Sequence, residues 1–371
     1  MRQREIGAVV VEAGPAMEYL SGVRWGRSER PLLLFVPVEG APAWVCPAFE
    51  LQRAREQIGS ALEVLTWDEH RSPYARMSQL LIDRELAGEP VAIDADARTF
   101  VTLGMADVLG RDLLDVANPV VAECRMIKTP CELECLRRAN EATKIALAAA
   151  ARHLRVGMRQ SELAALVRQA QEAAGLTHVW VLALFGPAAA FPHGTREDRA
   201  LRPGEVVLVD TGGSLHGYRS DITRTWLPFG EAPAEVRRAW ETVRRAQVQA
   251  MQAIAPGTTC GQVDAVARAV MASTGYGDGY QLFTHRLGHG IGLEVHEPPY
   301  LVRDNPLVLA PGMTMSNEPG LYFPGDYGVR LEDIVAVTEN GGEVFGPSPG
   351  PFEDPFAGHE RIGATHRSTD R

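Results

Sequence analysis

Little in this chain of 371 residues suits it to a bilayer, a polyanion or a disulfide scaffold. Its apolar runs, such as LLLFVPV at residues 32–38, fall far short of the roughly 20 residues a spanning helix needs. No membrane association is expected. Basic residues number 37 against 47 acidic ones, a net charge of −10. That balance removes the attraction nucleic-acid binders depend on. Five cysteines, Cys46, Cys124, Cys131, Cys135 and Cys260, form no even framework in so long a chain. The opening MRQREIGAVVVEAG lacks the apolar stretch and small-residue cleavage site of a signal peptide. The expected location is the cytoplasm.

What is present reads as two globular domains, since the length exceeds the usual single-domain size. Residues 1–125 alternate short apolar runs (GAVVVE, PLLLFVPV, AWVCPA, EPVAID) with amphipathic stretches at 50–58 and 73–87, the pattern of a mixed α/β layer. In MIKTPCELECLRRANEATKIALAAAARHL, Thr129, Pro130 and Glu132 form a capping box that starts a helix. The domain boundary is placed there. From it follow helices near 131–155 and 160–174 and strands near 178–185, 205–210 and 221–228. A second helix pair, 234–254 and 260–274, leads into strands at 281–286, 313–318 and 331–337. The two helix-helix-strand blocks suggest an internal duplication without a residue-level repeat. Residues 346–371, rich in Pro and Gly, read as an extended tail. Cys131 and Cys135, four apart on a helix with no second pair nearby, read as small side chains on one face rather than half a zinc site.

Chemistry-bearing residues concentrate in the second half. In HRLGHGIGLEVHEPPY, residues 285–300, three histidines lie among helix-breaking residues. A metal centre, a phosphate cradle and a solvated turn all compete for it. The glycines at 288, 290 and 292 do not match the phosphate fingerprint. They are read instead as letting backbone approach a metal and its substrate. Upstream, the strand EVVLVD ends at Asp210, and DITRTW begins at Asp221. A hairpin centred between Leu215 and His216 would set the two carboxylates opposite one another, about 5 Å apart. Two acids that close need a proton or a cation between them. Either Asp alone is ordinary turn chemistry, and His216 reads as surface. Glu318 in SNEPGLYF and Glu332 in GVRLEDIVAV shift the balance, because a bare carboxylate in a strand core is costly. With His289 they make a donor set of four carboxylates and one imidazole. It suits Mn(II), Co(II), Fe(II) or Zn(II) in a two-metal centre that makes water a hydroxide nucleophile.

The blocks VDTGGSLHGYRSDITRTW, HRLGHGIGLEVHEPP, SNEPGLY and GVRLEDIVAVTENG resemble, in order and spacing, the signature blocks of the proline-specific pita-bread metallopeptidases (family M24). These are the Xaa-Pro dipeptidases, or prolidases, and aminopeptidases P. The resemblance covers about residues 126–345, and EYLSGVRW extends it weakly into residues 1–125. It implies an α/β (α+β) chain: an N-terminal mixed α/β domain, then a pita-bread catalytic domain with pseudo-twofold helix-strand duplication. It also implies that Asp210 reaches one metal and that Asp221 and Glu332 bridge both. His289 and Glu318 bind the second. Glu318 is further implied to take the proton from water and return it to the leaving nitrogen. His285 and His296 match histidines that contact substrate and steady the tetrahedral intermediate, and His193 in FPHG matches one of the substrate rim. Arg330, on the face of Glu332, is expected to fix that carboxylate.

The resemblance implies two divalent ions, Mn2+ or Co2+ before Zn2+ or Fe2+, a small peptide substrate with proline after the scissile bond, and a homodimer. Some prolidases carry an arginine where this chain has Tyr300. That departure leaves Arg286, Arg330 or a tail residue to grip a proline carboxylate. The compact length favours a dipeptidase, with aminopeptidase P as the alternative. A non-peptidase branch of the fold, such as creatine hydrolysis, or a binding module that has lost catalysis, is disfavoured by the intact ligand set.

Overall fold

A computed structural model of the chain describes residues 1–116 and 118–357. They fall into two compact units divided between Arg125 and Met126.

In the first unit the elements run β1 (Ala8–Glu12), α1 (Pro15–Ser21), β2 (Leu33–Pro37), β3 (Ala43–Pro47), α2 (Leu51–Ile58), β4 (Glu63–Trp67), α3 (Pro73–Asp83), β5 (Val91–Ile93), α4 (Thr99–Leu109), β6 (Leu114–Val116) and α5 (Asn118–Met126). The sheet order is β4-β3-β2-β1-β5-β6. Its strands β1, β2, β3 and β5 bury both faces, as their continuous apolar runs require. Val9, Val11, Leu34 and Trp44 pack with Met17 of α1 and Ala54 of α2. The alternate residues Ala8, Val10, Phe35 and Val45 pack with Leu80 of α3 and Met105 of α4. A period of two thus makes three layers, helices on either side of one sheet.

The second unit begins at the Thr129 capping box, whose side chain and that of Glu132 bond each other's backbone. It contains α6 (Pro130–Ala151), α7 (Gln160–Ala173), β7 (Thr177–Phe185), β8 (Val207–Leu215), β9 (Tyr218–Arg219), β10 (Ile222–Trp226), α8 (Ala234–Ala253) and α9 (Cys260–Ser273). After these come β11 (Gly288–Gly290), β12 (Glu297–Leu301), β13 (Thr314–Asn317), β14 (Gly320–Phe323), β15 (Tyr327–Arg330), β16 (Asp333–Thr338) and β17 (Gly341–Val344). The first block forms the sheet β10-β8-β7 and the second the sheet β12-β11-β13-β16-β17. An isolated bridge between Thr223 and Glu332 joins them. The metal-ligand candidates gather at that join. No helix of the described residues is long and apolar enough to cross a membrane.

Three expectations need correction. The strand expected at 281–286 does not form, and residues 276–287 hold neither helix nor strand. The carbonyls of Gly279, Phe283 and His285 there accept from the Arg268 side chain instead of a ladder. The tail expected from residue 346 is not free where it is described. Phe352 packs on Trp240 and Phe356 on Trp226, with ring centroids 5.4 and 5.3 Å apart. Residues 358–371 of that tail lie outside the described residues.

The third correction concerns the hairpin. Leu215 pairs with Tyr218 and Ser214 with Arg219, so the turn is centred between His216 and Gly217, one residue later than expected. Both turn residues have positive φ, 54° and 95°, the geometry of the tight turns that follow strand twist. Asp210 therefore faces Thr223, and Asp221 falls two residues nearer the turn. A shift of two keeps the same side of the sheet, so both acids still point into one site. Gly217→Ala should cost about 1–2 kcal/mol by placing a Cβ on left-handed backbone. Thermal unfolding should then fall by roughly 3–6 °C.

Candidate metal centre

Five side chains, on strands or directly beside their ends, converge at the join of the two sheets. Asp210 ends the apolar run of β8, and Asp221 precedes β10 with its amide donating to Asn140 Oδ1 at 3.3 Å. Glu332 lies opposite Thr223, whose hydroxyl donates to Glu332 Oε2 at 2.7 Å. His289 sits on β11, its amide donating to Ser316 Oγ at 2.9 Å. Ser316 Oγ in turn donates to Glu318 Oε1 at 3.1 Å. His289 Nδ1 lies 3.1 Å from the Gly290 carbonyl, which requires the proton on that nitrogen. Nε2 then faces Glu318 Oε1 at 3.3 Å and Asp221 Oδ2 at 3.7 Å, where two carboxylates call for a cation between them and the ring.

The glycines around His289 serve the neighbouring strands, a correction to the expectation that they admit metal and substrate. A Cβ on Gly288 would stand 1.9 Å from the Ser316 carbonyl oxygen, and one on Gly290 would stand 2.3 Å from that of Pro298. Bare backbone lets β11 fit between β12 and β13.

The electrostatics ask for cations. Burial, then the nearby Glu332, Asp210 and Glu318, pushes Asp221 well above the usual carboxylate range. Burial, then Glu318 and Asp210, does the same to Glu332. Burial also raises Asp210, against the Arg330 guanidinium. Burial would raise Glu318 too, but His289, His285 and Arg330 outweigh it and hold the carboxyl at about 2. Asp210 Oδ1, Asp221 Oδ1 and Glu332 Oε1 are buried without a hydrogen-bond partner. Leaving such acceptors dry and unmatched is expensive. Atoms of Asp221, His289 and Glu332 lie within 4.8 Å of one another. These unmatched oxygens, with one imidazole nitrogen, fit divalent metal.

The flanking residues differ from expectation in two places. Arg330 does not touch Glu332. Its Nη2 pairs with Asp210 Oδ2 at 2.6 Å, its Nε donates to Thr223 Oγ1 at 3.1 Å, and its Nη1 donates to Tyr322 Oη at 2.8 Å and the Pro192 carbonyl at 3.1 Å. Position 332 faces Thr223, so the guanidinium reaches Glu332 only through that hydroxyl. His285, half-buried, turns its ring toward protein groups. Its Nδ1 donates to the Arg286 carbonyl at 2.7 Å, and its Nε2, 2.7 Å from Tyr322 Oη, then accepts from the phenol. Burial, the largest effect, pushes its pKa down to about 4, so the ring is neutral. Both nitrogens are engaged within the protein.

His296 stands differently. It is exposed, and its ring centroid lies 4.1 Å from that of His289. His193 lies in an exposed loop, near enough for its charge to lower both His285 and His296. Tyr300 pairs with His289 across β11 and β12, and Arg286 stacks over its ring at 4.5 Å. Cys131 and Cys135 lie on α6, remote in sequence from every ligand candidate and with no disulfide.

Sequence reasoning missed Tyr322, Thr223 and a buried support behind Glu332. Arg224 Nη1 donates to the Glu332 carbonyl at 2.6 Å and Nη2 to Asp333 at 2.8 Å. Lys144 meets the same Asp333 at 2.6 Å. Asp333 directly follows Glu332 and is fully buried, so a pair of cations holds the backbone that aims the ligand. An arginine in the strand ITRTW and a lysine inside α6 are the available signals: buried charge in an apolar pattern needs a partner.

Comparison with known proteins places these features. Residues 134–339 match the model of "Metallopeptidase family M24", and residues 1–127 that of the "Creatinase/Prolidase N-terminal domain". A probable dipeptidase, PepE, of Mycobacterium tuberculosis is 41% identical over 344 residues, covering 91% of this chain and 88% of that protein. A protein named Xaa-Pro dipeptidase from Lactobacillus delbrueckii subsp. lactis is 30% identical over 350 residues, covering 93% and 94%. The crystal structure of dipeptidase PepE from Mycobacterium ulcerans superposes with a TM-score of 0.88 at 37% identity, covering 94% of this chain and 93% of that one.

Proposed function

The chain belongs to metallopeptidase family M24, and on that premise we propose that it is a two-metal peptidase hydrolysing the Xaa-Pro bond, chiefly of Xaa-Pro dipeptides. It is a hydrolase with a creatinase-type N-terminal domain and a pita-bread catalytic fold. The observation that carries the proposal is the set of three buried carboxylate oxygens without partners beside the His289 imidazole. Asp210, Asp221, His289, Glu318 and Glu332 would hold the ions. This oxygen-rich set without thiolate favours manganese or cobalt, and admits zinc or iron. Bound there, such ions supply Lewis acidity to polarise a carbonyl and lower the pKa of water.

The protein's own groups do the rest. Glu318, a largely buried carboxylate beside His289, would accept a proton from the attacking water and pass it on to the leaving nitrogen. That delivery matters for proline, whose tertiary amide nitrogen must be protonated to depart. His296, exposed beside His289, is the histidine free to donate to the developing oxyanion. His285 keeps Tyr322 in place rather than touching substrate. His193 and Tyr300 border the approach.

The dipeptidase reading is supported by Arg286. Arg330 is fully occupied by Asp210, Thr223, Tyr322 and Pro192, whereas Arg286 is exposed and braced on Tyr300. It supplies the cation that position 300 lacks, as a partner for a proline carboxylate. The reading also places the enzyme in the cytoplasm, in keeping with five free cysteines, and as a homodimer.

The test is a panel of Xaa-Pro dipeptides, Xaa-Pro-Xaa tripeptides and Xaa-Ala controls with added manganese or cobalt. Dipeptides with proline should turn over fastest. Preference for the tripeptides would favour aminopeptidase P, and no hydrolysis by metal-loaded protein would overturn the peptidase reading.

A further inference from the structure

The segment 276–287 carries His285 into the site without any helix or strand to hold it. Its order comes from two side chains one turn apart on α9. Arg268 donates to three of its carbonyls: Nη1 to Gly279 at 3.0 Å and Phe283 at 3.3 Å, and Nη2 to His285 at 2.8 Å. Asp264 pairs with the same guanidinium at 2.7 Å and accepts the Leu287 amide at 3.1 Å. The guanidinium is also clasped between rings, 4.0 Å from the Tyr280 centroid and 4.4 Å from that of Phe283. Phe283 meets the His285 ring edge-on at 5.2 Å. Both charged residues are buried, at 3% and 0% exposure. A fully buried pair adds little net stability over an apolar one. Its value here is geometric, because one planar fork answers three carbonyls at fixed angles.

The chain of contacts continues. Tyr322 donates to His285 Nε2 and accepts from Arg330, which grips Asp210. Tyr322 is anchored a second time by the same segment, its amide donating to the Leu282 carbonyl at 3.1 Å, while the Glu318 amide donates to that of Leu287 at 2.9 Å.

We propose that Asp264 and Arg268 are positioning residues that set the catalytic geometry by holding the segment 279–287. They orient His285 and Tyr322, and through them the Arg330 and Asp210 side of the metal centre. The consequence for turnover rests on the peptidase reading above, while the consequence for His285 does not.

The test uses the full-length enzyme and its Arg268→Lys variant, loaded with diamagnetic zinc for the NMR measurement and with manganese for kinetics and metal content. Lysine keeps the charge opposite Asp264 but cannot answer three carbonyls together. In enzyme labelled with 15N histidine, the His285 Nε2 resonance should move toward that of an acceptor without a donor, as it should in Tyr322→Phe. Metal content should stay at the wild-type level, while kcat falls about ten- to a hundredfold, the range typical of groups that orient ligands, with KM little changed. Arg268→Met, where it folds, should show the same pattern more strongly. An unmoved His285 resonance in Arg268→Lys would overturn the proposal, as would a loss of turnover that merely tracks loss of metal. Wild-type enzyme inactive on Xaa-Pro peptides would sink the substrate reading alone, and the histidine resonance would still decide this one.

Discussion

Asp221→Asn and Glu332→Gln should each abolish turnover, with kcat falling on the order of 10^3-fold or more, the scale at which loss of a preorganised charge acts. Bound metal should fall with it. A carboxamide preserves volume and can still accept one hydrogen bond, so packing around Thr223 and Asn140 survives. It cannot balance a divalent charge from two oxygens at once. Both residues present one buried oxygen with no protein partner, and that oxygen is what the substitution disables. The variants also carry an opposite expectation for the metal-free protein. Each removes one of four mutually repelling acids, so the metal-free variant should unfold no more easily than metal-free wild type. Elemental analysis, steady-state kinetics and thermal melts on the same preparations check all of this. A variant that lost activity and unfolded readily even without metal would have failed through misfolding.

Metal removal should cost the wild-type protein stability in a way that grows with pH. Metals held at about a thousand times their dissociation constant contribute around 4 kcal/mol, roughly 10 °C in melting temperature for a domain of this size. The sign of the pH dependence follows from Asp221 and Glu332. Their folded pKa values are raised, so the folded metal-free protein keeps protons that the unfolded chain has released above about pH 4. Stability is therefore lost as pH rises toward those folded values, at about 1.4 kcal/mol per pH unit for each proton retained. His285, pushed down to about 4 chiefly by burial, acts in the opposite direction below about pH 6.5. Glu318 at about 2 acts only in strong acid. Lys144, lowered to about 8 chiefly by burial, acts only above that. The clean window is therefore about pH 6.5 to 8, where the melting temperature of chelated protein should fall with pH. Metal-loaded protein should stay nearly level, because bound cations keep the carboxylates ionised in the folded state. A chelated protein whose stability rose through that window would show that the acids do not share one buried site.

The ligand candidates were legible because each stands in its own strong local pattern. An acid ends an apolar strand at Asp210, interrupts one at Glu332, and precedes Pro-Gly at Glu318, and a buried charge demands a partner wherever it lies. The capping box at Thr129 made the start of α6 legible for the same reason, being local. What escaped was non-local or depended on turn stereochemistry. A histidine at positive φ is uncommon, so His216 was not the obvious first residue of a two-residue turn with Gly217, and the register moved accordingly. Nothing in QLFTHR tells that its carbonyls are claimed by an arginine on α9, so its apolar pattern reads as a strand. Tyr322 lies beside Glu318 in a conspicuous block, yet its partners His285 and Arg330 come from other elements. Arg330 was assigned to Glu332 through shared strand parity, whereas the two-residue shift in the hairpin brought Asp210 to it.

Anomalous scattering from crystals grown with manganese tests the central claim most directly. Two peaks should appear among Asp210, Asp221, His289, Glu318 and Glu332, with carboxylate oxygens of Asp221 and Glu332 shared between them. A map with no manganese at that cluster, or with those five side chains turned away from the ions, would contradict it.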